Sequence, residues 1–301
     1  MIFKILIIAL SFSTTSAFAK LNVLATTTDL QAIVQEVGGS EVVVESYCRG
    51  TQDPHFLEAK PSLMIKTNKA DLVVSTGLGL EVGWLPKVLE GGRNAKVTPG
   101  QKGYLEVGKF IEVLEKPSAN VTRADGDVHP EGNPHFSLDP IRVGIVAQGI
   151  AAKLAELDPA HASLFKKNAT DLKVRLIKKE QEWKKRISQS GITTVVTYHK
   201  TLSYFLDRFG VKTAAILEPF PGVPPKAKHI MGVITQAKQE GVKLILVENY
   251  FDDSVAKRVA RDLKDVRVES IPVAVGGNKD IRTLDDLYEK LVKTFEGGPK
   301  S

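Results

Sequence analysis

The sequence predicts an α/β protein of two lobes, each a parallel β-sheet flanked by helices, joined by one long backbone helix. Three observations predict it. Short β-branched runs alternate with helical segments in both halves of the chain, the pattern left by crossover connections between parallel strands. One amphipathic segment of about 30 residues, near 45 Å long as a helix, separates the halves. The 301 residues, 43% hydrophobic and 25% charged, have the composition and the length for two domains of roughly 130 residues, each with its own core. The expected boundaries are a leader over 1–19, a first lobe over 20–145, a linking region with the spine helix over 146–190 and a second lobe over 191–301.

The leader is read from Lys4, the apolar run Ile5 to Leu10 with Phe12, and the small-x-small site Ala17-Phe18-Ala19. This is the build of a secretory signal cleaved after Ala19, and the apolar run is shorter than the about 20 residues that span a bilayer. The mature chain then opens with a strand at Leu21 to Thr26. Asp29 is expected to cap a helix through Ile33, Val34 and Val37 that stops at Gly38-Gly39. Glu41 to Tyr47 alternates as a second strand. Pro61-Ser62 opens a helix, and Ala70 to Ser75 is a short apolar strand. From Gly100 to Asn133 no period is visible. Residues 120–133 form a polar, mobile loop in this reading.

Asp139-Pro140 starts a helical region, and Asp158-Pro159 supplies an N-cap with proline at the first helical position. Phe165, Ala169, Leu172, Leu176, Trp183 and Ile187 then mark one apolar face of the spine. After Gly191 the alternation resumes. Strands are expected at Thr193–Thr197, Val211–Leu217, Leu244–Glu248 and Val266–Ile271, and helices at His199–Phe209, Pro225–Glu240, Asp253–Leu263 and Leu284–Thr294.

Charge and cysteine content exclude several functions. The formal net charge is +6, or +5 once Lys4 leaves with the leader (6 − 1), and the positive residues are spread along helices without interleaved aromatics. Nucleic acid is not an expected partner. The single Cys48 rules out an internal disulfide, and its place after Val42-Val43-Val44 suits a buried structural thiol. A soluble monomer is expected.

Three of the six histidines share a setting. His55 follows Asp53-Pro54, His135 follows Asn133-Pro134, and His199 follows a strand and Tyr198. Ligands of open parallel sheets gather beyond the carboxyl ends of strands. Any one of the three would pass as a solvent-exposed or capping side chain. A metal bridging the lobes needs this distribution, with His55 and His135 in the first lobe and His199 in the second. His161 and His229 read as surface residues. His129, in the polar loop, is a candidate capture ligand or an exposed loop histidine.

The stretches Asp53-Pro54-His55-Phe56-Leu57-Glu58-Ala59-Lys60-Pro61-Ser62 and Gly132-Asn133-Pro134-His135-Phe136-Ser137-Leu138-Asp139-Pro140 resemble two hallmark motifs of the zinc/manganese solute-binding proteins of ABC importers. Tyr198-His199 through Phe209-Gly210 is similar to the third. The resemblance covers nearly all of the mature chain. It implies a rigid spine between the lobes, a metal in the cleft on His55, His135 and His199, a periplasmic location and delivery to a membrane permease driven by an ATPase. The family's acidic fourth ligand after the last strand has no counterpart in Pro272-Val273-Ala274-Val275. Asp280, Glu218, Glu248 or a water stay open for that place, with Asp280 preferred. Three imidazoles and one oxygen suit Zn²⁺. Mn²⁺ is the lesser expectation, since manganese members carry an acid in place of one histidine. Two other functions share features with this reading. A zinc hydrolase can use three histidines and an open position, but no His-Glu-x-x-His or Gly-x-Ser-x-Gly segment is present. A chelate- or siderophore-binding protein would want a larger, aromatic or Arg-lined cleft.

Overall fold

The computed structural model describes residues 20–117, 129–220 and 222–297. The leader and its cleavage site lie outside the described residues, as do residues 118–128 of the polar loop. Among the described residues no helix is long and apolar enough to cross a membrane.

The first sheet is built from β1 (Leu21–Ala25), β2 (Val42–Ser46), β3 (Leu72–Ser75) and β4 (Tyr104–Glu106), in the order β2-β1-β3-β4 with every pairing parallel. The second sheet holds β5 (Thr194–Thr197), β6 (Lys212–Ile216), β7 (Leu244–Glu248) and β8 (Arg267–Ile271), in the order β6-β5-β7-β8, again all parallel. The two orders are the same pattern. Parallel strands covered on both faces need continuous apolar runs, and the central strands β3 (Leu-Val-Val-Ser) and β7 (Leu-Ile-Leu-Val-Glu) are buried along their full length. In each sheet the chain first steps to one side of the opening strand and then crosses to the other. That reversal opens a crevice at the carboxyl ends of the strands.

The helices are α1 (Thr28–Gly38), α2 (Pro61–Asn68), α3 (Leu85–Gly92), α4 (Pro140–Leu157), α5 (Ala162–Gln189), α6 (Ser203–Phe209), α7 (Ala227–Gln239), α8 (Ser254–Arg261) and α9 (Leu284–Glu296). The spine is α5, 28 residues long. Its buried residues are Phe165, Ala169, Leu172, Leu176, Trp183 and Ile187, the six read from the sequence. It packs on α4 and α1 of the first lobe and on α9 and α6 of the second. One continuous apolar core therefore runs through both lobes. Residues such as Trp183 and Leu176, fully withdrawn from water, are worth on the order of 1.5–3 kcal/mol each.

Several expectations are corrected. The N-cap of α1 is Thr27, whose hydroxyl accepts the Leu30 N–H at 3.3 Å; Asp29 is buried in the first turn. Pro159 begins a short 3₁₀ turn, Pro159–His161, and the long helix starts at Ala162. The stretch 100–133, expected to be irregular, contains β4. Three residues are too few to display a two-residue period, and the strand exists because β3 offers it a partner. Helix α3 was also not foreseen; Pro86 sits in its first turn, where the missing N–H costs nothing. His199 has extended backbone and precedes a 3₁₀ turn, Lys200–Leu202, so α6 begins only at Ser203.

The lobes meet closely. A Cβ at Gly50 would collide with the backbone carbonyl of Val275, so only glycine permits this approach. Asp29 accepts the Val275 N–H at 2.7 Å and the Ser137 hydroxyl at 2.8 Å. Burial raises its pKa to about 6, against the pull of those two hydrogen bonds. Tyr288 donates to the Ser137 carbonyl at 2.7 Å. Asp139 caps α4 and also receives Arg208 at 2.9 and 3.0 Å.

Candidate metal centre

His55 and His135 sit at the end of the same short turn. In Asp53-Pro54-His55, Asp53 Oδ1 accepts the backbone N–H of His55 at 2.9 Å. In Asn133-Pro134-His135, Asn133 Oδ1 accepts the backbone N–H of His135, also at 2.9 Å. An Asx side chain that bonds the backbone two residues on fixes a turn without secondary structure, and proline between the two removes one free torsion. The first turn is pinned further by Trp84, whose indole N–H donates to the Pro54 carbonyl at 2.9 Å. His199 is placed differently, by the end of β5. Tyr198 stacks on Phe251 with ring centroids 4.6 Å apart, and His199 lies 6.2 Å from the same ring.

The three imidazoles converge. One nitrogen from each of His55, His135 and His199 lies within 4.8 Å of the others, and all three residues are buried. Their ring centroids are 5.1, 5.5 and 5.7 Å apart. Among the described residues they are the group of metal-ligating side chains that comes together in this way. Two rings are held from behind by carboxylates. Asp53 Oδ1 meets His55 Nδ1 at 2.7 Å, and Glu218 Oε2 meets His199 Nδ1 at 2.6 Å. The nitrogen left to face the centre is then Nε2 in both. His135 Nε2 is buried with no hydrogen-bond partner, a state that leaves its lone pair available to a cation.

Electrostatics follow the same division. Burial lowers His135 well below the usual imidazole range, and the neighbouring imidazoles act in the same direction. Its imidazole is therefore neutral at ordinary pH. Burial also acts to lower His199, but the hydrogen bond to Glu218, with the charge of Glu248, raises it overall. For Asp53, burial acts upward and the His55 hydrogen bond and charge win, so the carboxyl is lowered. Glu248, at the end of β7, is raised by burial, against the charge of His199 and the Thr201 hydroxyl beside it.

The fourth place is where the sequence reading needs correction. Asp280 is exposed, on a turn where its N–H donates to Asn278 Oδ1 at 2.9 Å. It does not join the imidazoles. The turn is the reason: the N–H groups of both Asp280 and Ile281 bond to Asn278 Oδ1, while the neighbouring Val275 is drawn to Asp29. Glu218 is occupied with His199 and with the Gly222 N–H at 2.5 Å. His129, in contrast, lies beside the trio, with Nε2 3.1 Å from His55 Nε2. His229 is half-buried and bonds the Ile216 carbonyl at 2.9 Å; His161 pairs with Asp158 at 2.6 Å on the surface. Cys48 is buried and free, its thiol pushed up to about 12 chiefly by burial, as a structural thiol would be. The sequence reading missed the roles of Asp53, Asn133 and Glu218. An Asx two residues before each proline-borne histidine was the available signal for the first two.

The profile of the family described as zinc-uptake complex component A, periplasmic, matches residues 23–297. A manganese ABC transporter substrate-binding lipoprotein, PsaA, of Streptococcus anginosus is 29% identical over 248 residues, covering 81% of this chain and 77% of the relative. A crystal structure of ZnuA superposes with a TM-score of 0.76 at 22% identity, over 92% of this chain and 97% of that one. A manganese-bound mutant of a periplasmic metal-binding protein from Candidatus Liberibacter asiaticus does so with a TM-score of 0.75 at 22% identity, over 92% and 100%.

Proposed function

The chain belongs to the periplasmic zinc-uptake component A family of metal ABC transporter substrate-binding proteins, and from that premise we propose that it carries Zn²⁺ on His55, His135 and His199 and hands it to the permease of an ABC importer. The family is one of binding proteins, not enzymes, which removes the hydrolase reading.

One observation carries the choice of metal. Three buried imidazoles from two lobes meet within 4.8 Å, with no carboxylate in the group. Nitrogen-rich sets suit Zn²⁺, whereas Mn²⁺ favours carboxylate and other oxygen donors. The relative from Streptococcus anginosus is named for manganese; the donor atoms of this chain argue for zinc. Asp53 and Glu218 stand behind His55 and His199. There they hold each ring in one tautomer, raise its basicity and offset the cation's charge without touching it.

The close inter-lobe contacts at Gly50, Ser137 and Tyr204 favour release by a small displacement over a wide hinge opening. In this reading the chain works in the periplasm as a monomer, after cleavage behind Ala19. Calorimetric titration of the metal-free mature protein tests the proposal. One equivalent of Zn²⁺ should bind with sub-micromolar Kd and Mn²⁺ far more weakly. Preference for Mn²⁺, or Zn²⁺ binding weaker than micromolar, would sink it.

A further inference from the structure

Three histidines leave one corner of a tetrahedral ion unfilled, and Asp280 is exposed elsewhere. His129 approaches the trio from the His55 side, outside the group whose nitrogens all lie within 4.8 Å of one another. Its Nε2 is 3.1 Å from His55 Nε2. Its ring centroid lies 5.2 Å from that of His55 and 6.3 Å from that of His135. The atom it meets on His55 is the one that faces the centre, because Asp53 takes the other nitrogen. Two imidazole nitrogens bound to one zinc at about 2.0–2.1 Å lie about 3.3–3.4 Å apart along a tetrahedral edge. The observed separation is within a few tenths of an ångström of that edge.

The backbone around His129 is built to hold this position. Its carbonyl accepts the Gly132 N–H at 3.0 Å, closing a turn through Pro130. Gly132 has φ of 106°, a conformation that suits glycine. Its N–H-bonded neighbour Asn133 then leads directly into the turn that carries His135. On the other side, a Cβ at Gly79 would be 3.5 Å from His129 Nδ1, so the Gly77–Gly79 bend lies against the ring.

We propose that His129 is the fourth metal ligand, so that the ion sits among four imidazole nitrogens with no oxygen donor. The proposal rests on the reading that His55, His135 and His199 bind zinc, and it adds a consequence. Four neutral nitrogens, with the carboxylates kept behind the rings, disfavour a hard cation more than three nitrogens and an oxygen would. His129 would thus sharpen the choice of Zn²⁺ over Mn²⁺ that the trio begins.

The test uses the full mature chain, loaded with Zn²⁺, and the variants His129→Ala and His199→Ala. X-ray absorption at the zinc edge should count four imidazoles in the wild type and three plus a light oxygen donor in His129→Ala. Competition with a chromophoric chelator should show Zn²⁺ Kd weakened in His129→Ala by at least the ~10–100-fold that loss of a partner behind a ligand costs. The ratio of Zn²⁺ to Mn²⁺ affinity should fall as well. If His129→Ala keeps the wild-type spectrum and Kd while His199→Ala loses zinc, the trio stands and the proposal is overturned. If His199→Ala also retains wild-type binding, the site itself is misassigned and both readings fall.

Discussion

Asp53-Pro54-His55 and Asn133-Pro134-His135 are one turn built twice, yet their Asx side chains finish differently. In both, Oδ1 receives the histidine N–H at 2.9 Å. Asp53 then also takes His55 Nδ1 at 2.7 Å and serves the imidazole. Asn133 turns its amide away from the ring. It donates to the Lys200 carbonyl at 3.0 Å and to Glu115 at 3.2 Å, while its own carbonyl receives the Tyr204 hydroxyl at 2.7 Å. Lys200 and Tyr204 belong to the second lobe. A carboxylate can only accept, so Asp53 suits a ring N–H; an amide can also donate, so Asn133 can clamp two lobes. The backbone device sets where each histidine stands, and one atom of the Asx side chain decides what else the turn does.

The comparison breaks most visibly if a histidine itself is lost. Structural zinc is bound with about 10–16 kcal/mol, so a single ligand is worth about 3–4 kcal/mol. His135→Ala should therefore weaken Zn²⁺ by roughly 10²–10³-fold in a chelator competition. Its fold should persist, because the Asn133 clamp does not use the ring. A variant that unfolds would show that the imidazole is structural.

Exchanging the side chains sharpens the contrast. Asn133→Asp keeps an acceptor for the His135 N–H but loses both donors and faces the Glu115 carboxylate. Asn133 is only 4% exposed. An unsatisfied carbonyl at Lys200 and an unpaired buried charge cost about 2–4 kcal/mol in such a place. Urea denaturation of the metal-free protein should show that loss. A change below about 0.5 kcal/mol, the usual range for surface substitutions, would mean the lobes are not clamped here.

The legibility of the molecule follows the same divide between local pattern and long-range partner. The spine was readable because six apolar residues recur on one face over about six turns, and that period has no other cause. The central strands were readable because parallel strands must be apolar throughout. Strand β4 was not, since Tyr104–Glu106 is a strand only by virtue of β3. At the site, the trio could be read from Asx-Pro-His and from a strand end, which are local signals. Asp280 was preferred for the fourth place because it follows the last strand by a few residues. The turn around Asn278 is a local Asx signal that went unused; the pull of Asp29 on Val275, 246 positions apart, is invisible to any local reading. His129 was noticed but placed in an unconstrained loop, because its 3.1 Å approach to His55 joins residues 74 apart.

The smallest expected effect is the most specific to the difference between the turns. Asp53→Asn retains the oxygen that receives the His55 N–H, so the turn and the fold should survive. What it removes is the negative charge at Nδ1. The retained oxygen can still accept Nδ1–H, but the ring loses the carboxylate that raises its basicity, and the site loses a charge that offsets the cation. Changes of this kind cost about 10–100-fold in metal affinity, less than removal of a ligand. Zn²⁺ competition should place Asp53→Asn between wild type and His135→Ala, with thermal unfolding of the metal-free protein close to wild type. An affinity equal to wild type would mean that the carboxylate only shapes the turn, and Asp53 and Asn133 would then be doing the same job.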